Sequence, residues 1–246
     1  MRYLAEIAYR GTAYHGWQRQ DNATSVQQVV EEALTTILRT NTSITGSGRT
    51  DTGVHCKRQF FHFETETDLA DKFVYQLNNY LPKDISIGTV RAVNDSGHAR
   101  FSATSRSYEY HISRVKNPFE IDLSFFYSRE LNVTTMNEAA ALLIGMQDFE
   151  AFSKVKTDVN TFDCDITNAR WAQEGEHLVF YISANRFLRG MVRAIVGTLL
   201  QVGLGKLTVA DFDGVIQSRD RKKAGASAPA HGLYLTDVGY PNAIFI

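Results

Sequence analysis

The sequence predicts an α/β fold of the α+β kind: a largely antiparallel mixed sheet flanked by helices, in two similar split-βαβ-like halves with a central cleft. Three observations carry that expectation. Residues 1–95 read in the order strand, helix, strand, strand, helix, strand, which is the split βαβ order. Residues 96–246 again alternate short strands with apolar stripes at helical spacing. Between them there is no solenoid-period repeat, low-complexity tract or long linker. The expected division is therefore 1–95 and 96–246.

The elements follow in order. Arg2 to Ala8 alternates well enough to be a strand, and Tyr9 to Thr24 is a polar, aromatic loop holding Gly11 and Gly16. Ser25, followed three residues later by Gln28, has capping-box spacing. Val26, Val29, Val30, Ala33, Leu34, Ile37 and Leu38 then fall at helical spacing, giving a helix over about 25–39. Ser43 to Thr45 is β-branched, and Val54 to Phe63 reads as a strand, with Phe61 and Phe63 on one face and Phe60 and His62 on the other. A helix over about 69–80 ends before Pro82, and Ile85 to Val93 closes the half as a strand.

In the second half, Arg100 to Thr104 and Ser107 to Ile112 look like strands, and Phe125 to Arg129 is a short aromatic stretch. A helix follows a cap at Thr134 or Thr135 and carries Met136, Ala139, Ala140, Leu142 and Leu143. Ile166 to Trp171 and His177 to Ala184 form a hairpin turned at Glu174-Gly175-Glu176. Phe187, Met191, Ile195, Leu199 and Val202 mark a helical stripe over 186–204, most simply a core helix. Thr208 to Gln217 is a shorter helix, and Leu233 to Val238 a closing strand.

Composition narrows the function classes. The 246 residues are 43 % hydrophobic and 22 % charged, ordinary for a globular chain that can bury a sizeable core. Cys56 and Cys164 match no metal spacing, so no disulfide framework or zinc site is expected. The first residues lack a signal peptide's apolar stretch, and no apolar run reaches membrane-spanning length, so a cytoplasmic location is expected. The net charge of −1 is not that of a typical basic nucleic-acid binder. The charges are segregated, however. Arg100, Arg106, Arg114 and Lys116 gather against one acid, Glu109, and further cations cluster at Arg186–Arg189–Arg193 and Arg219–Lys223. Acids collect over 64–71 and 158–165. Segregation of this kind can make a basic face on a neutral protein, although each cluster alone reads as solvated surface.

The stretch richest in chemistry is Gly46-Ser47-Gly48-Arg49-Thr50-Asp51-Thr52-Gly53-Val54-His55, a glycine-rich loop between two strands. Its carboxylate, Asp51, has Arg49, two threonine hydroxyls and His55 as near neighbours in sequence. The plain alternative is a turn in which Asp51 caps a backbone N–H. Three other stretches stand out: Ala99 to Thr104 with Ser107-Tyr108-Glu109-Tyr110; Arg186-Phe187-Leu188 with Met191 to Gly197; and Gly232 to Leu235. By themselves Tyr108 and Tyr110 are strand aromatics, Arg193 a solvated arginine on the flank of a core helix, and Leu233 strand core.

Together these segments resemble the TruA family of pseudouridine synthases, which act on tRNA. Arg49-Thr50-Asp51-Thr52-Gly53-Val54-His55 resembles its R-T-D-x-G-V-H loop, and Tyr9 to Gln20 its Tyr-Asp-Gly-x-x-Tyr-x-Gly-Trp-Gln-x-Gln opening. His62-Phe63, Asn79 to Pro82, the Y-x-Y of Tyr108 to Tyr110, the M-V-R of Met191 to Arg193 and Ala228 to Leu235 follow in the same order. The departures are Arg10 where an acid is common, Thr52 where alanine is usual, and Arg189-Gly190 before Met191.

The resemblance implies an isomerase that breaks the N-glycosidic bond of a uridine in tRNA, turns the base and rejoins it through carbon. It assigns Asp51 as the nucleophilic carboxylate. Arg193 is implied as the cation that keeps Asp51 ionised, Tyr108 as the ring stacked on the uracil, and Leu233 as packing beside it. Arg49 would take the space of a flipped-out base, while Arg100 and Arg106 contact phosphate. It further implies the anticodon stem-loop of tRNA as substrate, a homodimer, and no metal or cofactor.

Two other classes fit parts of the sequence. An RNA-binding module could use the aromatic strands as stacking platforms, but it has no use for an acid set against polyanionic RNA. A metal-dependent or aspartate-nucleophile hydrolase needs further acids or histidines to hold a cation, and no convincing set is present.

Overall fold

The computed structural model describes residues 1–155 and 159–246; Asp158 of the second acidic stretch lies outside the described residues. These form ten strands, mostly antiparallel, and five α-helices, the mixed α/β class expected. The chain gathers into two compact units, Met1–Ser105 with Tyr234–Ile246, and Arg106–Leu233. The expected halves divide at residue 95. The last strand rejoins the first unit because Tyr234 and Leu235 pair in parallel with His55 and Cys56.

The first unit contains β1 (Arg2–Tyr9), α1 (Val26–Leu38), β2 (Thr45–Gly46), β3 (His55–Glu64), α2 (Phe73–Tyr80), β4 (Ile85–Val93) and all but the first residue of β10 (Leu233–Gly239). β1 lies between β4 and β3, and β10 follows β3. Ala5 of β1 faces Phe61 on one side and Val90 on the other, which buries Leu4, Ala5 and Ile7. α1 begins where Ser25, in extended conformation, accepts a 3.3 Å hydrogen bond from the Gln28 amide. A serine cap of this kind is worth about 1 kcal/mol. Gln28 does not complete the expected box, because its side-chain amide donates to Glu32. Val26, Val30, Ala33 and Leu34 form the buried face, and the helix stops at Arg39 in the left-handed region.

α2 starts four residues later than its apolar pattern suggests. A turn from Ala70 O to Phe73 N occupies the approach, and Lys72 offers no side-chain cap. Its end is as expected: Leu81 is extended ahead of Pro82, whose ring disfavours a helical neighbour. Phe60, Phe61, His62 and Phe63 are all buried, so both faces of β3 are covered.

The strand expected at Arg100–Thr104 is absent. The amides of Arg100 and Phe101 both donate to His98 Nδ1 (3.1 and 3.2 Å), and Ser102 N donates to His98 O. Donors committed to one side chain and a tight turn are lost to a ladder.

The second unit contains β5 (Ser105–Ser113), β6 (Phe125–Phe126), α3 (Val133–Ala141), β7 (Gly145–Asp148), β8 (Asp163–Glu174), β9 (His177–Ala184), α4 (Met191–Gly203) and α5 (Val209–Ser218). β5, β9, β8 and β7 are antiparallel neighbours, and β6 lies parallel to β5. The β8–β9 hairpin turns at Gly175, whose φ of +60° suits a tight connection. α3 is capped by Asn132, which accepts from Thr135 N, rather than by either threonine. α5 carries a full capping box between Thr208 and Asp211.

α4 begins five residues later than the stripe from Arg186 implies. Gly190 sits at φ +73° and breaks the run, so Phe187 lies before the helix and not on it. α4 itself is buried on nearly every side, as befits a central helix. Gly197 lets the 224–228 segment lie against it, since a Cβ there would stand 1.8 Å from Ala226 O. Among the described residues, no helix is long and apolar enough to cross a membrane.

Candidate active site

In the first unit, the segment carrying Asp51 has no regular structure of its own between β2 and β3. Its shape comes from the Tyr9–Gln20 loop. On the N-terminal flank of Asp51, the Tyr9 hydroxyl lies 2.8 Å from Thr50 Oγ1, and Trp17 N donates to Thr50 O at 3.2 Å. On the C-terminal flank, Gly53 N donates to Tyr14 O, and Gly11 N donates to His55 Nδ1 at 3.1 Å. Asp51 itself is half-buried, and its backbone carbonyl closes a turn onto Val54 N.

Two glycines allow this interlock. A Cβ on Gly16, at φ +86°, would stand 2.4 Å from Thr50 O, and one on Gly46 would enter the Trp17 ring. Trp17 is buried between Tyr9 and Phe61. The loop is in turn tied to the approach to β4, where the Tyr14 hydroxyl donates to Asp84 at 2.7 Å. Burial and the Asp84 carboxylate push the Tyr14 phenol up, so it stays a proton donor. Arg49 is exposed beside Asp51, with Nε donating to Gln18 Oε1.

In the second unit, Tyr108 and Tyr110 are alternate residues of β5, paired with Ile182 and Phe180 of β9. Tyr108 is half-buried, and its ring meets Phe187 edge to face at 5.1 Å. Tyr110 is fully buried and donates to Pro229 O at 2.8 Å. Burial pushes its phenol up, against an opposing pull from Arg193. Arg193 lies on the first turn of α4, half-buried, with Nε donating to Ala228 O at 2.7 Å while Ala228 N donates back to Arg193 O. Leu233 is buried directly after Gly232, where any Cβ would strike the Tyr110 ring. Tyr108, Arg193 and Leu233 thus depend on one set of neighbours: β5, the start of α4 and the 228–233 segment.

The expected phosphate contacts differ in setting. Arg100 is exposed on the turn before Phe101, while Arg106 is half-buried and donates to Asn185 O at 2.8 Å. In the third basic cluster, Arg219 pairs with Asp148, and Arg221 hydrogen-bonds the 224–227 loop. These two arginines build local structure. Among the described residues, no group of three or more His, Cys, Asp or Glu side chains is placed to hold a metal ion.

The residues that support the site carry no signal of that role in the sequence. Tyr9, Tyr14 and Trp17 were visible as a motif, yet nothing in their spacing shows that they grip a loop about forty residues away. Phe187, expected on a core stripe, packs on Tyr108 instead.

Comparison with known proteins identifies the family. The model of the tRNA pseudouridine synthase family matches residues 5–102 and 139–241. A tRNA pseudouridine synthase A of Porphyromonas gingivalis is 50 % identical over 251 residues, covering 100 % of this chain and 99 % of that one. One from Parabacteroides distasonis is 47 % identical, covering 99 % and 98 %. One from Bacillus subtilis is 38 % identical, covering 98 % and 100 %. With a match to most of its length and relatives this similar from end to end, the chain belongs to the tRNA pseudouridine synthase family of isomerases.

Proposed function

We propose that the protein converts uridine to pseudouridine on the 3′ side of the anticodon stem-loop of tRNA, with Asp51 as the nucleophile. The observation that supports this most is the Asp51 loop: a half-buried carboxylate fixed on both flanks by a second loop. Fixing a reacting group before substrate arrives removes much of the entropy of assembling the transition state. A turn whose aspartate served only as a cap would not need such anchoring.

The reaction breaks the N1–C1′ bond, turns the uracil and forms the C5–C1′ bond; the proton lost from C5 is matched by one taken up at N1 from solvent. It is an isomerisation and balances without a co-reactant, so the proposal calls for no cofactor or metal. Arg193 supplies a cationic side chain to the reaction. Tyr108 stacks on the uracil, with Phe187 against its edge, and Leu233 packs beside the base. The target base is flipped out at a cost of a few kcal/mol, and Arg49 fills the vacated space. Arg100 and Arg106 contact phosphates, which makes binding salt-dependent. The working unit is a cytoplasmic homodimer.

The test is incubation with unmodified tRNA transcripts, followed by carbodiimide-based primer-extension mapping. Pseudouridine on the 3′ side of the anticodon stem-loop is expected. Modification elsewhere would overturn the substrate assignment, and none at all would overturn the activity.

A further inference from the structure

One exposed aromatic side chain is held on a turn far more constrained than a surface loop requires. In the 94–102 turn, Gly97 N donates to Asn94 O and Ser102 N to His98 O. His98 N donates to Ser102 Oγ, which itself donates to Ser96 O. His98 Nδ1 accepts from both Arg100 N and Phe101 N. The Arg2 guanidinium bonds the carbonyls of Asp95 and Gly97, each at 3.0 Å. The His98 ring is backed by His62 at 4.6 Å, and His62 Nδ1 accepts from Ala99 N. So restrained a turn presents Phe101 with 77 % of its surface in water. The ring lies 4.4 Å from His98, and the Arg100 guanidinium is 5.6 Å from its centre.

We propose that Phe101 is a stacking platform for an unpaired base of the RNA substrate, with Arg100 beside it for the adjoining phosphate. This rests on the RNA substrate proposed above. An aromatic face accepts any base, so stacking supplies affinity without fixing sequence. A ring already held in place forfeits little side-chain entropy on binding. A neighbouring guanidinium suits RNA because it can both stack and pair with phosphate.

The experiment compares wild type with Phe101→Ala and Phe101→Trp on an unmodified tRNA transcript. It measures kcat, KM, thermal stability and sedimentation. Phe101→Ala is expected to raise KM about five- to a hundredfold, the range of losing one stacked base. kcat should stay within about twofold, the pattern of lost binding and not of lost chemistry. Thermal stability should hold, since the ring is exposed. Phe101→Trp should restore KM, and its added fluorescence should be quenched as tRNA saturates. An unchanged KM in Phe101→Ala, or unquenched emission from the introduced indole at saturation, would overturn the proposal. So would conversion of a dimer to a monomer by Phe101→Ala, because the ring would then be a contact between copies. If wild type binds tRNA but leaves uridine unchanged, the Phe101 effect on tRNA affinity still decides the stacking question separately from the activity.

Discussion

Asp51 and Arg193 are positioned by contrasting means. Asp51 sits on a segment without regular structure, held through Thr50 and Gly53 by a loop about forty residues earlier. Tyr108 and Arg193 ride on β5 and α4, whose ladders and buried faces exist for the fold itself. A regular element holds a side chain through many small local terms, whereas an interlocked loop depends on a few non-local contacts. Damage to the first region should therefore misplace the carboxylate while the unit stays folded. In the second region, changes should act either on chemistry directly or on stability.

The largest effect that sharpens this comparison is expected at Arg193→Lys. Lysine keeps the charge but not the planar fork, and it also loses the Nε bond to Ala228 O. Pseudouridine formation should fall at least about a hundredfold, the scale of losing an electrostatic catalytic group, with the melting temperature nearly unchanged. Full activity would return Arg193 to an ordinary place on the flank of a core helix.

A smaller effect is expected at Tyr9→Phe, which removes only the hydroxyl facing Thr50. Losing one buried hydrogen bond is worth about 1 kcal/mol, so kcat should fall about fivefold while KM for tRNA holds. If KM rises while kcat is unchanged, the Tyr9–Gln20 loop serves RNA binding and the contrast between the regions breaks.

The effect furthest from the chemistry concerns pH. The His62 pKa is pushed down to about 4, first by burial and then by His98 and Arg2, with Glu64 opposing. The unfolded chain, with its ring near 6.5, takes up the proton first. The contribution of His62 to stability is therefore whole above about 6.5 and lost as pH falls toward about 4. His62→Gln, which can still accept from Ala99 N, should flatten that part of the denaturation curve. An unaltered slope would mean the ring charges freely in the folded state.

Local features were the legible ones. The Ser25 cap, the helix stop before Pro82, the Gly175 hairpin and β4 each depend on residues adjacent in sequence, and each stands as read. The misreadings share a cause. Arg100–Thr104 has strand composition, but a histidine side chain captured its amides. The stripe from Arg186 is interrupted by a left-handed glycine that periodicity does not detect. β7 is short, and only its pairing with β8 defines it. In the candidate site, Asp51 and Arg193 taken alone read as a turn cap and a solvated arginine, and only the family resemblance singles them out. The grip of Tyr9, Tyr14 and Trp17 on the Asp51 loop could not be read at all, since it exists only once the two segments meet.

Asp51→Asn separates a nucleophilic Asp51 from one that only caps a turn. Asparagine matches the size and capping ability of aspartate but carries neither the negative charge nor the nucleophile. The measurement is tritium release from tRNA labelled at uridine C5, run beside a filter-binding titration with the same tRNA. No release above background is expected, with tRNA affinity equal to wild type or slightly tighter, since one charge repelling phosphate is gone. Wild-type release from Asp51→Asn would contradict a nucleophilic Asp51 and leave the residue as the cap of a well-anchored turn.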